Sequence, residues 1–483
     1  MERPRRTLCT PRIHLHGTRL GLGLALSLAC GADEPPAATP TPAPASPSDE
    51  APVPASDEAP APEPAPKPAP VAAKKLELPA VGAPGPAFIG VEGRGVAKID
   101  DGAVTLLADS PKSGTKLQLA GDGNLWVMDR VALHRLDGDR FTTVVANSYD
   151  AIDNSFEAFT VTPEGDIWAA TFNSVHHLKD GSWDARGGMK LAEGDTETIH
   201  GIMHDRGGHV FAASTNKLHV FDGAAWAEVD LGKAKPRDPF FNALVPGPQF
   251  AKTYLVSAFA ILEIAEGGAA VRKVKVGGGS HLSVAGDGSL AVADFDKLHV
   301  VDADGKRRSP RPKLGSGAIA VADGGTLWVL NRAGVTVIPR EGEATEWPSG
   351  SIPEIAGATF GVVVLGAGPA RLPGAGPIRK GSLTGRLLRD GQPMPGLAVE
   401  LCPSPSLVMY GKTPCDGASV RLKATSDDAG RWRFDEVPLG DYGIAVKVDG
   451  AWQLTLGLSL SNDMNEGELH DAGDLVLRRS EKK

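Results

Sequence analysis

DGNLWVMD, Asp122–Asp129, is the first of a set of near-copies that follow one another at a spacing of about forty residues, a period that marks an array of equivalent structural units. The copies are EGDIWAAT from Glu164, GGHVFAAS from Gly207, DGSLAVAD from Asp287 and GGTLWVLN from Gly324, with a degenerate KTYLVSA from Lys252. Each has a small or acidic residue plus Gly, then an apolar run of strand length. A second phrase follows each: ALHRLDG from Ala132, SVHHLKDG from Ser174, KLHVFDG from Lys217 and KLHVVDADG from Lys297, each ending in an Asp-Gly turn suited to a tight hairpin. Apolar segments upstream, such as FEAFTVTPEG from Phe156 and ETIHGIMHDRGG from Glu197, complete four short antiparallel strands per unit. Four such strands make a propeller blade.

The expected fold is therefore all-β, with a β-propeller over residues 79–378. Main strands begin near Ala87, Leu125, Ile167, Val210, Tyr254, Leu290 and Leu327, which favours seven blades. A strand near Pro353 to Gly357 would then complete the blade opened by Pro86 to Leu107. An eighth blade near Gly361 is the alternative.

Composition fits a multi-domain β protein: 483 residues exceed one ordinary core, and 59 Gly with 39 Pro supply many turns. A net charge of -9 and the lack of a clustered basic run argue against nucleic acid as a partner, since phosphate neutralisation needs such a surface. The basic runs at Lys306 to Arg308 and Arg478 to Arg479 read as solvated loop and tail.

Residues 1–29 read as an export signal, with Arg3, Arg5, Arg6, Arg12 and Arg19 ahead of an apolar core from Leu20 to Ala29. The ending LSLAC resembles a bacterial lipobox, which implies cleavage before Cys30 and its lipidation. Ser27 and Leu28 depart from the usual residues there, and cleavage at Ala29 without lipid is the alternative. Residues 30–78 then hold the lipidated Cys and a Pro/Ala-rich tract, which favours extended polyproline II at about 3.1 Å per residue and reads as a disordered tether. With Cys9 lost and Cys30 acylated, Cys402 and Cys415 remain; an oxidising compartment favours a disulfide between them, with free thiols or a metal site as alternatives.

The DGNLWV and LHVFDG phrases resemble the two-component-regulator propeller repeat and, more loosely, the streptogramin-lyase and NHL-type propellers. The resemblance implies ligand binding at a propeller face and transfers no catalytic residue. Residues 379–483 start with GSLTGRLLRDGQPMPGLAVELC and continue through TSDDAGRWRFDEVPLGDYGIAV (Thr425–Val446) to DAGDLVL from Asp471. These resemble the carboxypeptidase regulatory-like family, a transthyretin-like β-sandwich without catalytic residues of its own.

Four histidines, His134, His176, His219 and His299, occupy equivalent places in four repeats. Equivalent places fan outward from the axis, so they suit packing between blades rather than one metal. His200, His204 and His209 would suit zinc only if Thr198 to Met203 were helical, and the local pattern is strand and turn. Trp126, Trp168 and Trp328 recur at one blade position and read as core anchors. The longer loops, Asn147 to Ser155 and Lys233 to Phe240, are better candidates for a binding rim, with Tyr149, Arg237 and Phe240 as its contact residues. No phosphate loop, nucleophile elbow or metal cluster emerges, and no cofactor or catalytic residue is expected.

The functional expectation is a non-enzymatic lipoprotein of the bacterial cell envelope, anchored through lipid and facing the periplasm or cell surface, with the outer membrane favoured. Its propeller face would bind an envelope protein or glycan. The alternative is a propeller lyase or hydrolase acting on an extracellular polymer or small molecule.

Overall fold

The computed structural model describes residues 75–146, 155–179, 182–191, 197–237, 239–294, 297–310, 317–331, 333–355, 357–403, 413–416, 418, 420–459 and 467–477. Strands dominate it, in seven four-stranded antiparallel sheets followed by two further sheets.

Each of the seven is a blade, here written from its innermost to its outermost strand. Blade 2 is Lys116–Leu119, Leu125–Met128, Ala132–Asp137 and Arg140–Ala146. Blade 3 is Ala158–Val161, Ile167–Ala170, Ser174–Lys179 and Ser182–Lys190. Blade 4 is Ile199–His204, Val210–Ser214, Leu218–Phe221 and Trp226–Glu228. Blade 5 is Phe241–Pro246, Thr253–Ser257, Ile261–Ile264 and Val271–Lys273. Blade 6 is His281–Val284, Leu290–Asp294, Lys297–Val301 and Arg307–Arg308. Blade 7 is Gly317–Val321, Leu327–Asn331, Gly334–Ile338 and Thr345–Pro348.

Blade 1 is assembled from both ends of the array: the innermost strand, Thr359–Val364, pairs with Ala87–Val91, which leads to Gly95–Asp100 and Ala103–Leu106. This corrects the position expected for the closing strand. Pro353–Ile355 is a single 3-10 turn, and the closure lies six residues further on, in the β-branched run TFGVVV. Proline lacks the amide that a ladder needs, whereas Val at successive positions suits a pleated, packed strand. Gly361 belongs to this strand, so among the described residues the ring has seven blades and no eighth.

The second strands are largely apolar because neighbouring sheets cover both of their faces; Leu125–Met128 and Ile167–Ala170 are buried at every position. The core accordingly falls into clusters between neighbours. Trp126 and Met128 meet Phe156 and Phe159 between blades 2 and 3; Trp168 meets Ile202 and Phe221 between blades 3 and 4; Trp328 and Trp347 meet Ala87 and Ile89 between blades 7 and 1. The tryptophans act as the expected anchors, each no more than 3% exposed.

The Asp-Gly turns that mark the repeat have a packing role on one face of the ring. Asp122 accepts the Asn124 amide and, at 3.2 Å, the Trp126 indole N–H. Asp287 accepts the Ser289 amide at 2.8 Å and the Gly324 amide of the next blade at 2.6 Å, while Asp323 accepts the Asp287 amide at 2.9 Å. Each carboxylate caps its own turn or stitches it to a neighbour, which is why this face has short turns.

The last eight strands form the two sheets of a sandwich. Lys380–Arg389 pairs with Arg431–Pro438, with Gln392–Pro393 and, in parallel, with Leu469–Val476. The other sheet runs Leu422–Thr425, Ala398–Cys402, Asp441–Val448 and Ala451–Ser459. Leu383, Leu401, Trp432, Phe434, Ile444 and Val446 fill the space between them. The Tyr442 hydroxyl donates to the Pro438 carbonyl at 2.7 Å and fixes the corner before its strand. Cys402 and Cys415 form the expected disulfide with Cα atoms 5.8 Å apart.

Candidate functional site

The two faces of the ring differ. One carries the Asp-Gly turns just described, and the chain enters the propeller there: the Gly82 amide donates to Asp323 Oδ2 at 2.8 Å and Ala367 N to the Ala83 carbonyl. The opposite face carries the turns between second and third strands and the longer links between blades. We refer to it as the loop face.

In blades 2, 5 and 7 the turn geometry on the loop face is fixed by the residue at the end of the second strand. Asp129 Oδ1 accepts the amides of Val131 at 2.7 Å and Ala132 at 2.6 Å, Ser257 Oγ those of Phe259 and Ala260, and Asn331 Oδ1 that of Ala333. These are side-chain-capped turns. Burial works against the Asp129 carboxylate, but hydrogen bonds from His134 and the two amides outweigh it and hold its pKa below the usual carboxylate value. Asp129 is thus a turn former rather than a free acid.

Since the capping side chain makes the turn, the residue after it need not be apolar. Yet Val131, Phe172 and Phe259 occupy these turns in blades 2, 3 and 5 at 42%, 53% and 62% exposure, and Phe240, on the link into blade 5, is 46% exposed. Together they place four large apolar side chains on one face, across consecutive blades. Exposed apolar groups gathered in this way mark contact surfaces.

Behind Phe240 lies a polar recess. The innermost strands of blades 4 and 5 each carry a bulge, between Ile199 and Gly201 and between Phe241 and Ala243, so that His200 and Asn242 are the extra residues. Bulges re-aim side chains and gather near functional sites. His200 Nε2 lies 2.7 Å from Thr198 Oγ1 and 3.4 Å from Thr215 Oγ1, and its ring centroid is 5.9 Å from that of Phe240. Burial lowers its pKa, so it is neutral at pH 7. Beside it, buried Glu197 accepts hydrogen bonds from Ser214 Oγ and from Asn216 Nδ2 at 3.1 Å, with Lys217 Nζ at 3.8 Å. A small pocket lined by Asn216, Lys217, Asp230, Leu231 and Lys235 opens next to this group.

Of the rim residues expected from sequence, Arg237 and Phe240 are exposed on the loop face, while Tyr149 lies outside the described residues, as does Cys30. Phe172 and Phe259 were missed; an apolar residue directly following a Thr or Ser-Ala at the strand end is the signal that could have found them. The bulges leave no such trace. The histidines of the repeated phrase make local contacts: His134 bonds Asp129 at 3.1 Å and Thr143 at 3.1 Å, and His176 bonds Ser174 at 2.8 Å. Residues Ile199–His204 are strand, and His200, His204 and His209 each have separate partners in Thr198, Thr160 and Asp205. Among the described residues no group of three or more His, Cys, Asp or Glu is placed to hold a metal.

The sandwich docks beside this face. Ser349 Oγ, just past the outermost strand of blade 7, donates to the Leu439 carbonyl at 2.7 Å, and the Arg379 amide donates to the Gly350 carbonyl. The link between the domains is pinned along the way by Arg371, bidentate to Asp101 at 2.7 Å, and by the Trp347 indole on the Pro373 carbonyl at 3.1 Å. Blades 7 and 1 are therefore bordered by the sandwich.

Fold and face together define a seven-bladed β-propeller joined to a β-sandwich. No family model matches the chain, and no curated protein does. Among solved structures it is similar to virginiamycin B lyase from Staphylococcus aureus at 15% identity and a TM-score of 0.40, covering 50% of this chain and 87% of that one. It is similar to a protein from Bacteroides uniformis named as a 6-phosphogluconolactonase at 14% identity and 0.43, covering 58% and 98%. The extracellular domain named for a hybrid two-component system from B. thetaiotaomicron is matched at 10% identity and 0.39, over 84% of this chain and 56% of that one. At this distance none of them indicates a ligand for this chain, and the fold rests on the sheet pairing itself. No helix among the described residues is long and apolar enough to cross a membrane.

Proposed function

We propose that this chain is a bacterial cell-envelope lipoprotein, lipidated at Cys30, whose loop face recognises an envelope protein or glycan without turning it over. In this reading the propeller is of the two-component-regulator or NHL-like kind and the sandwich is carboxypeptidase regulatory-like. The observation that carries it is the set of exposed apolar side chains Val131, Phe172, Phe240 and Phe259, of which Val131 and Phe259 sit at turns whose geometry is already set by Asp129 and Ser257. Their exposure has no folding reason, which supports contact as the reason.

The test is capture from cross-linked envelope extract with residues 75–483 as bait, followed by protein and glycan mass spectrometry. Phe172→Ala with Phe259→Ala should abolish capture of whatever the parent retains while leaving the thermal midpoint within about 1 °C, as expected of surface substitutions. Capture unchanged by the double variant would remove the loop face as the binding surface. Turnover of a captured polymer would favour the lyase or hydrolase alternative.

A further inference from the structure

We infer that the loop face over blades 4 and 5 takes an acidic peptide segment bearing apolar side chains; this rests on the loop face being the binding surface. The chain as a whole is acidic, at -9. Yet the links after blades 4 and 5 expose Lys233, Lys235, Arg237 and Lys275, and among the described residues none of these four is in an ion pair. Asp238 follows Arg237 in the same link and lies outside the described residues; among the described residues the nearby acids are engaged or peripheral: Glu197 is buried on Ser214, Asn216 and Lys217, Asp230 accepts the Gly232 amide at 2.8 Å, and Glu228 ends the outermost strand of blade 4. The basic groups flank Phe240 and Phe259 along the chain. Basic groups on the links that bracket these apolar anchors in sequence complement a segment that alternates carboxylates with apolar side chains.

Two further observations choose a peptide over the other anionic surfaces. The exposed rings are phenyl, with no polar edge to share hydrogen bonds with a sugar, and they suit apolar side chains. Behind Phe240, the bulged residues His200 and Asn242 are half-buried, and Asn242 has no hydrogen-bond partner among the described residues. A bilayer surface would leave the Asn242 side chain unsatisfied, whereas a peptide backbone can reach it.

The experiment is fluorescence anisotropy of a labelled glutamate–tyrosine random copolymer with the full chain in detergent. Polyglutamate, a lysine–tyrosine copolymer, polygalacturonate and phosphatidylglycerol vesicles serve as comparisons. The glutamate–tyrosine copolymer should bind at least about tenfold more tightly than each of the others, and weaken as salt is raised through the screening range. Joint Lys233→Glu, Lys235→Glu and Arg237→Glu should weaken it about tenfold or more, and Phe240→Ala with Phe259→Ala should erase the advantage over polyglutamate. Equal binding of all polyanions, preference for polygalacturonate or vesicles, no binding at all, or indifference to both variant sets overturns the proposal. If the copolymer is ignored while envelope capture is still lost in Phe172→Ala with Phe259→Ala, the acidic-peptide partner falls and the loop-face reading stands.

Discussion

His204 is fully buried between blades, its ring stacked on Phe250 with centroids 4.3 Å apart and Nδ1 2.8 Å from Thr160 Oγ1. Gly121, in the first turn of blade 2, leaves room for its Nε2, where a Cβ would collide. Burial, only partly offset by Asp205, Glu164 and Asp122, pushes its pKa down to about 4. The unfolded chain takes up this proton near pH 6.5, so between about 6.5 and 4 the unfolded state binds more protons and stability falls as pH falls; above 6.5 the contribution is complete. Its size is about 3 kcal/mol at most, lost by pH 4. His204→Gln should be less stable than the parent at pH 7.5 but lose less between pH 6.5 and 4, read from denaturant midpoints across pH. Parallel profiles would assign the acid sensitivity elsewhere. Sequence alone identified His204 only as part of a zinc set that required a helix; in a strand, residues four apart are separated by about 13 Å, and each finds its own partner.

At the scale of elements, the sequence reported the second strands well because burial on both faces writes continuous apolar runs such as LWVM and IWAA. It misplaced the closing strand, since no Asp-Gly turn comes after Thr359–Val364 and its partner strand lies at the far end of the array. Nothing local records that pairing. Here too a bulge places Phe360 off the ladder, between Gly90 and Val91, and its ring fills the space over Gly90 and Gly114. Gly90→Ala should therefore cost about 1–3 kcal/mol by overpacking. In a Phe360→Ala background the same change should cost under about 0.5 kcal/mol, because the obstructing ring is gone. Additive effects in this cycle, measured by urea denaturation, would mean that the ring does not constrain the glycine.

At the scale of the molecule, the loop face is shaped by where the sandwich docks, and this was invisible in sequence because it rests on backbone contacts. Gly350, with φ +85°, would place a Cβ 3.1 Å from the Arg379 carbonyl oxygen and from Leu439 N and O; Gly440 closes from the other side against Ser349. Two glycines let the corner after the Arg431–Pro438 strand approach the end of blade 7 closely enough for Ser349 to donate to Leu439. Gly374, in the same link, has nothing within 4 Å of its Cβ position. Gly350→Val should release the sandwich, raising the radius of gyration in solution scattering and opening residues 366–378 to protease, whereas Gly374→Val should do neither. Backbone strain alone would lower stability in Gly350→Val without exposing the link. Gly440→Ala, whose glycine has no positive φ, should expose the link as well, because it pushes on Ser349 from the sandwich side. If neither Gly350→Val nor Gly440→Ala opens it, the two domains are held by the pinning of Arg371 and Trp347 rather than by this contact. The border of the open arc over blades 2 to 5 would then be set by the link.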